Sequence, residues 1–205
     1  MRVLAIDSAT RACSAALFDD GRLIAGAWED IGRGHAERLV PMIAQLPGRG
    51  QAGRIAVSLG PGSFTGVRIG LAAARALGLA WGAEVLGYPT LALIAAMARD
   101  GAARPVSVCM TGGHGEWFVQ DFAAGGEPAT ELASLPPEEA ARRAGCETVA
   151  GDQAEALVAL RGHGRATALL PDARLFPLLP EALLTGSLAP LYGRPPDAKP
   201  AGAGR

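Results

Sequence analysis

The sequence contains almost no lysine, few aromatic residues and no excess of either charge. Lys199 is the sole lysine among 205 residues, aromatic residues make up 5% of the chain, and the formal net charge is -1. Proteins that bind nucleic acids unaided present clustered lysine and arginine and stack bases on aromatic side chains. We therefore predict that the chain does not bind nucleic acid by itself. The same charge balance argues against binding to a membrane surface.

Cysteines and long apolar runs are scarce as well. Cys13, Cys109 and Cys146 are odd in number and lack the spacing of a metal or redox motif. The apolar run at the N-terminus is too short for a signal peptide, and three charged residues interrupt the apolar pattern of residues 67–85, which excludes a membrane-spanning helix there. We expect a cytoplasmic protein whose thiols are buried or incidental.

A glycine-rich loop between a predicted strand and a predicted helix lacks the residues of known catalytic motifs. Its defining residues are Gly60, Pro61, Gly62, Ser63 and Gly66. No Walker lysine follows Gly66, and Ser63 lacks the flanking glycines of a nucleophile elbow. The three histidines have no metal-ligand spacing, and no HExxH motif is present. Two roles remain for the loop: holding an anion at the helix N-terminus, or presenting a rigid surface to a partner.

The helix after this loop, predicted over residues 67–81, carries a single charged stripe. Arg68 and Arg75 lie seven residues apart, with Ala72 between them on the same face. Arg68 falls in the first turn, where the helix dipole disfavours a cation. We therefore expect an acidic group to face these arginines, either within the chain or on a partner.

Polar residues also follow the first predicted strand, at Asp7, Ser8 and Thr10. Aspartate and serine often form turns through hydrogen bonds to their own backbone. Alternatively, the segment is the remnant of a phosphate- or metal-binding loop. The residue types alone leave both interpretations open.

Apolar periodicity predicts the same order of elements in both halves of the chain. In the first half we predict strands at 2–6, 12–18 and 22–28, a helix at 35–46 that starts late or kinks at Pro41, a strand at 55–59 and the helix at 67–81, followed by a strand at 85–87 and a helix at 90–98. In the second half we predict strands at 105–110, 116–122 and 129–132, a helix at 136–144, a strand at 147–150, a helix at 152–160 capped by Asp152 and a last helix at 172–185.

A unit of three strands, a helix, a strand and a helix that occurs twice predicts an α/β protein with the duplicated actin-like ATPase (RNase H-like) fold. We expect two βββαβα subdomains, the first at 1–100 and a smaller second one at 101–190. Residues 191–205 are rich in proline and glycine, and we expect them to form a disordered tail.

Four segments carry a family resemblance: residues 4–17, 35–41, 60–70 and 190–195. They resemble the TsaB (YeaZ) family, bacterial partners in the threonylcarbamoyl modification of adenosine 37 in tRNAs that read codons beginning with A. The resemblance implies a scaffold that pairs with a TsaD-like catalytic subunit and a TsaE-like ATPase, and that reaches tRNA only through the complex. A homodimer is a further expectation.

The resemblance also implies that the chain lacks a catalytic site, a metal site and a cofactor of its own, with ATP and metal on the partner subunits. TsaD-like chains carry two metal-binding histidines four residues apart, whereas residues 87–94, at the equivalent place, contain no histidine. Residues 110–115 likewise lack the acidic residue of a second phosphate loop and are most simply a hairpin turn around Gly112 and Gly113.

By the same resemblance, two helices form the docking surface, either in a heterodimer or in a homodimer. Polar residues on an amphipathic helix usually form a solvated face, but the resemblance favours an interface. The candidate interface residues are His35, Glu37, Arg38, Met42, Arg68, Ala72 and Arg75, the first three predicted to be exposed. The rival hypothesis is an actin-like kinase or ATPase that binds a nucleotide around Asp7 and the 60–66 loop.

Overall fold

The computed structural model describes residues 1–193, whose strands form two five-stranded sheets. The first sheet has the order β3-β2-β1-β4-β5, and its strands are β1 (Arg2–Asp7), β2 (Ala12–Asp19), β3 (Arg22–Asp30), β4 (Arg54–Ser58) and β5 (Glu84–Tyr88). The second has the order β10-β9-β6-β7-β8, and its strands are β6 (Val106–Thr111), β7 (Trp117–Phe122), β8 (Ala133–Leu135), β9 (Thr148–Ala150) and β10 (Arg165–Thr167).

The two sheets share one topology. In each, the first three strands form an antiparallel meander, and the fourth and fifth add in parallel on the other side of the first strand. Parallel neighbours need a crossover helix between them, which explains the alternation of strands and helices after each meander. The predicted α/β fold with two duplicated actin-like (RNase H-like) subdomains is confirmed.

Five α-helices accompany the sheets: α1 (His35–Ala44), α2 (Phe64–Trp81), α3 (Thr90–Arg99), α4 (Pro137–Arg143) and α5 (Ala154–Arg161). The apolar residues of α1 and α2 pack against one face of the first sheet. Nearly every residue of α3 is buried, because this helix lies in a core that it shares with β6, β7 and apolar residues between 169 and 184. None of the helices within residues 1–193 is long and apolar enough to span a membrane.

Several predicted elements are wrong in position or type. The predicted helix at 172–185 is replaced by two short 3-10 helices, at Ala173–Leu178 and Glu181–Leu183, since Pro177 and Pro180 cannot donate the hydrogen bonds of a continuous helix. The predicted third strand of the second subdomain lies at β8 rather than at 129–132, and β10 was not predicted.

Two predicted helix ends also differ. Gln153, not Asp152, is the N-cap residue of α5, because the Asp152 carboxylate accepts hydrogen bonds from Thr111 instead. Helix α1 begins at His35 and contains Pro41, so the prediction of a late start is wrong.

The chain after β10 returns to the first subdomain, and we call residues 168–192 the return segment. Trp28 Nε1 donates to the carbonyl of Pro171 at 3.1 Å, and the backbones of Gly87 and Thr185 exchange two hydrogen bonds. The amide of Leu191 donates to the carbonyl of Leu59 at 2.8 Å. Residues 191–193 of the predicted tail therefore lie within the described structure, whereas residues 194–205 lie outside it.

Candidate functional site

The glycine loop before α2 packs backbone against backbone on the turn between β1 and β2. A Cβ atom on Gly62 would lie 2.0 Å from the carbonyl oxygen of Ala9, and one on Gly66 would lie 2.1 Å from that of Ser8. Gly60 has a φ of 90°, in the region that favours glycine. Gly62 and Gly66 are therefore required because there is no room for a side chain, and Gly60 is required because of its backbone conformation.

Hydrogen bonds fix the same contact. The amide of Ser63 donates to the carbonyl of Ala9 at 2.6 Å, and Ser8 Oγ donates to the carbonyl of Gly66 at 2.9 Å. Ser63 caps α2, since its Oγ accepts from the amide of Gly66 at 3.2 Å. The peptide bond before Pro61 is cis. Because the amides of Ser63 and Gly66 already have acceptors within the chain, the geometry supports a rigid structural loop over an anion site.

The polar residues after β1 are directed into the protein. Asp7 is 1% exposed, and its Oδ1 accepts from the amide of Ala9 at 3.0 Å, while the hydroxyl of Tyr88 lies 3.2 Å from Oδ2. Burial raises the pKa of Asp7 to about 6, although these hydrogen bonds oppose the shift. Ser8 is buried as well, and Thr10 Oγ1 accepts from the amide two residues later. Asp7 and Thr10 therefore make the local hydrogen bonds of a turn, while Ser8 and Asp7 also bond to residues distant in the chain, Gly66 and Tyr88.

The candidate interface residues of α1 divide into buried and exposed ones. His35 is 7% exposed and its Nε2 lies 3.2 Å from the carbonyl of Ala12, so the prediction that it is exposed is wrong. Met42, at 1% exposure, belongs to the core. Glu37 is exposed, and Arg38 is half-buried. The guanidinium of Arg38 donates hydrogen bonds to both oxygens of the Glu29 carboxylate, and the bond from Nε to Oε2 is 2.7 Å long. This contact lowers the pKa of Glu29 below its usual value.

The candidate residues of α2, Arg68, Ala72 and Arg75, are all exposed. The guanidinium carbon of Arg68 lies 3.5 Å from the ring centre of Phe64, and its Nη2 donates to the Tyr192 hydroxyl at 3.2 Å. Arg75 Nη2 donates to the carbonyl of Leu188 at 2.9 Å. Within residues 1–193 neither arginine forms an ion pair, so the acidic partner expected inside the chain is not found there.

Sequence reasoning missed the apolar part of this surface. Leu79 is 89% exposed and continues the stripe of Arg68 and Arg75 by one more turn of α2, while Val40 on α1 is 57% exposed. Extending the arginine periodicity by four residues would have found Leu79. Since α1 and α2 contact each other on the same side of the first sheet, their outward sides form one surface. We call it the α1–α2 face, defined by Glu37, Val40, Arg68, Ala72, Arg75 and Leu79.

A cleft between the subdomains is the second candidate site. It has a volume of about 510 Å³, and its polar lining residues are Arg11, Asp30, Asp152, Asp172 and Arg174. Arg11 pairs with Asp30 at 2.9 Å and Arg174 with Asp172 at 2.7 Å. A phosphate group would therefore compete with carboxylates for both guanidinium groups. Within residues 1–193, no three His, Cys, Asp or Glu side chains are grouped closely enough to hold a metal ion.

Comparison with known proteins gives one matching family model, described as TsaD: tRNA N6-adenosine threonylcarbamoyltransferase, over residues 29–168. The tRNA threonylcarbamoyladenosine biosynthesis protein TsaB of Escherichia coli (strain K12) is 43% identical over 113 residues, which cover 51% of this chain and 48% of the relative. The chain spans about half the length of the curated relatives it matches.

Two solved structures from Pseudomonas aeruginosa match nearly the whole chain. YeaZ is 30% identical to this chain with a TM-score of 0.75, and the match covers 93% of this chain and 99% of the YeaZ chain. A structure described as an uncharacterized protein with similarity to peptidase YEAZ is 32% identical with a TM-score of 0.75, and covers 94% of this chain and 99% of its own.

Proposed function

The chain belongs to the TsaB (YeaZ) family, as the sequence resemblance predicted, and we propose that it is a non-catalytic scaffold subunit for the threonylcarbamoyl modification of adenosine 37 in tRNAs that read codons beginning with A. The name of the Escherichia coli relative and the match to YeaZ over nearly the whole chain support this proposal. The chain acts in the cytoplasm, a proposal that its three free cysteines support.

The absence of a catalytic role is supported by the state of the side chains that chemistry would need. Burial raises the pKa of the Cys13 and Cys109 thiols to about 12, so neither supplies a thiolate nucleophile at neutral pH. Asp7 and Ser8 are buried and hydrogen-bonded inside the protein. Catalysis would then belong to a TsaD-like subunit, with ATP and metal on that subunit and on a TsaE-like ATPase, and tRNA would be bound through the complex.

The α1–α2 face is the docking surface in this proposal. The observation that carries it is the exposure of Leu79, Val40 and Ala72 on two adjacent helices of the larger subdomain. An apolar centre with a charged rim is the usual composition of a specific interface, which buries about 1,600 Å² in total. His35 and Met42 support the surface from beneath rather than contacting the partner.

An omission assay tests the function. The chain is combined with the TsaD-like and TsaE-like subunits and a source of the threonylcarbamoyl group, and modified tRNA is measured with each protein left out in turn. We expect no modification without the chain and none by the chain alone. Full modification in its absence, or turnover of any substrate by the chain alone, would contradict the proposal.

The alternative is an actin-like kinase or ATPase that binds a nucleotide around Asp7 and the 60–66 loop. The cleft between the subdomains has a volume of about 510 Å³, but neither Asp7 nor the loop lines it. This alternative predicts saturable binding of ATP and magnesium to the isolated chain. Calorimetric titration distinguishes the two hypotheses, because a scaffold should give no binding heat and no thermal shift. An Arg174→Ala variant serves as the control for binding in the cleft.

A further inference from the structure

We propose that the return segment holds the two subdomains together as one rigid unit, so that the cleft between them keeps its width and does not close around a ligand. Two domains of one chain usually move relative to each other, and hinge closure around a ligand is a common form of that motion. Three observations oppose such a motion in this chain: the path of the return segment, the core between the subdomains and the charges of the cleft.

The first observation is the path of the return segment across the first sheet. Strands β3 and β5 are the two edges of this sheet. The segment is bonded to Trp28 of β3 and pairs through its backbone with Gly87 of β5. Between these two points the amide of Ala173 donates to the buried Oγ of Ser14, on β2, at 3.0 Å. The segment therefore crosses the sheet from edge to edge, and a rotation about any one of these attachments would break the others.

The end of the return segment leads back to the second subdomain. The amide of Leu191 bonds to Leu59 of the first subdomain, whereas two residues later a Cβ on Gly193 would lie 2.5 Å from the ring of Phe118, on β7. The chain thus passes between the subdomains at three places: after α3, after β10 and between residues 191 and 193. A hinge concentrates its motion in a few residues at one place, so three separate passages restrict it.

The second observation is a hydrophobic core that both subdomains build together. The buried residues of α3 pack in one cluster with Val108 and Phe122 of the second sheet and with Leu179 of the return segment. The ring of Phe176, in the return segment, lies 5.7 Å from the ring of Tyr88, on β5. Movement between domains is the ordinary expectation unless their interface is large and hydrophobic. Because interiors are close-packed, a change in the angle between the subdomains would open gaps or create clashes in this cluster.

The third observation is the pairing of the charges that line the cleft. Arg11 pairs with Asp30 inside the first subdomain, and Arg174 pairs with Asp172 inside the return segment. Asp152 is hydrogen-bonded within the second subdomain. In the part of the chain that the structure describes, residues 1–193, no ion pair joins the first subdomain to residues 101–167. Closure would therefore bring together groups whose charges already have partners, and it would gain little electrostatic energy.

Distances between two spin labels, measured by pulsed electron paramagnetic resonance on the full chain, test the inference. The labels are attached to cysteines that replace Arg33 in the first subdomain and Glu155 on α5, both of which are exposed. Cys146→Ser removes the natural thiol that is not buried. We expect one narrow distance distribution that stays the same when ATP and magnesium are added in excess. A broad or two-peaked distribution, or a shorter distance with ATP, would overturn the inference.

Two variants loosen the attachments of the return segment at opposite edges of the sheet. Trp28→Ala removes the bond to the carbonyl of Pro171, and Thr185→Pro removes the amide that donates to Gly87. Each should broaden the distance distribution about twofold, since local attachments limit local opening. Trp117→Ala is the matched control, because this tryptophan is also half-buried but packs within the second subdomain.

The control decides what the return segment contributes. If both variants give the same distribution as Trp117→Ala, the return segment does not hold the subdomains and the inference is overturned. Circular dichroism and melting show whether each variant is folded, and Trp28→Ala decides alone if Thr185→Pro does not fold. None of these results changes the expectation for the omission assay, because a scaffold can be rigid or hinged.

Discussion

The two subdomains build the same corner with different bonds. In each, the second helix starts close to the turn that leaves the first strand. In the first subdomain, Gly62 and Gly66 bring main chain onto main chain and cover the turn at Ser8. In the second, Gly151 approaches the end of β6, and the Asp152 carboxylate binds the amide and hydroxyl of Thr111, at 2.8 Å each. Both corners need a glycine where main chain meets main chain, since a Cβ on Gly151 would lie 2.1 Å from the carbonyl oxygen of Cys109. The second corner depends on a charged side chain as well.

The two corners differ in the length of the helix that follows each of them. The first corner leads into the 18 residues of α2, whereas the second leads into the 8 residues of α5. Close main-chain packing places α2 rigidly, and Phe64 in its first turn packs against the ring of Tyr192. A corner made of fixed backbone suits a surface that must be held in one shape before a partner arrives.

The largest effect should come from adding one methyl group to the first corner. Gly66→Ala would place a Cβ 2.1 Å from the Ser8 carbonyl, so the loop must shift, and we expect a loss of at least about 3 kcal/mol in the free energy of unfolding, measured in urea. Gly113→Ala, in the turn of the second subdomain with open space around it, is the control and should be nearly neutral. Equal effects of the two variants would show that the close approach at Gly66 does not limit stability.

The next effect is a dependence on pH in the first corner. Asp7 has a pKa of about 6 when folded against 3.8 as its ordinary value, so the folded state holds the proton more tightly. Stability should therefore fall as pH rises from about 4 to 6, by about 3 kcal/mol at most, and then level off. Asp7→Asn should remove this fall while keeping the hydrogen bond from Ala9. The exposed Asp100→Asn is the control, and an unchanged pH profile of Asp7→Asn would refute the assignment.

The smallest effect should come from the second corner. Asp152→Ala removes two hydrogen bonds at the surface, and we expect a loss of about 1 kcal/mol in the free energy of unfolding together with faster hydrogen exchange at the Thr111 amide. Glu155→Ala, in the first turn of the same helix, is the control for lost helix-dipole interaction. A loss as large as that of Gly66→Ala would mean that both corners are equally critical.

Sequence patterns were sufficient where one period or one turn residue decides the structure. The meander, both crossover helices of the first subdomain and the repeated topology followed from alternation and glycine placement. They were insufficient for β8 and β10 of the second subdomain, which have three residues each, too few to show a period, although β9 was predicted at 147–150. The helix predicted at 172–185 in the return segment was also wrong. Its apolar pattern resembles that of a helix, but its prolines and its long-range contacts favour short 3-10 helices.

The candidate site was predicted in part. The exposed arginine stripe of α2 was visible from spacing, but His35 was assigned to the surface although its ring reaches the carbonyl of Ala12. That contact joins residues 23 positions apart, and a local pattern cannot reveal it. The pairing of Arg68 with Phe64 and Tyr192 was likewise missed, since Tyr192 lies 124 residues further along the chain. The spacing of residues along a helix shows which of them share a face, but it does not show which other parts of the chain contact that face.

The path of the return segment has a consequence for how the protein is made. Thr185 pairs with Gly87 at the outer edge of β5, and Leu191 bonds to the end of the strand region at Leu59. While the ribosome is still translating the second subdomain, the first subdomain has emerged without the bridge at Gly87 on that strand edge. Nascent chains thus pass through a stage open to edge-to-edge association. Stop codons placed just before Thr185 should then yield polypeptides that aggregate although every strand and helix of the first subdomain has been synthesised.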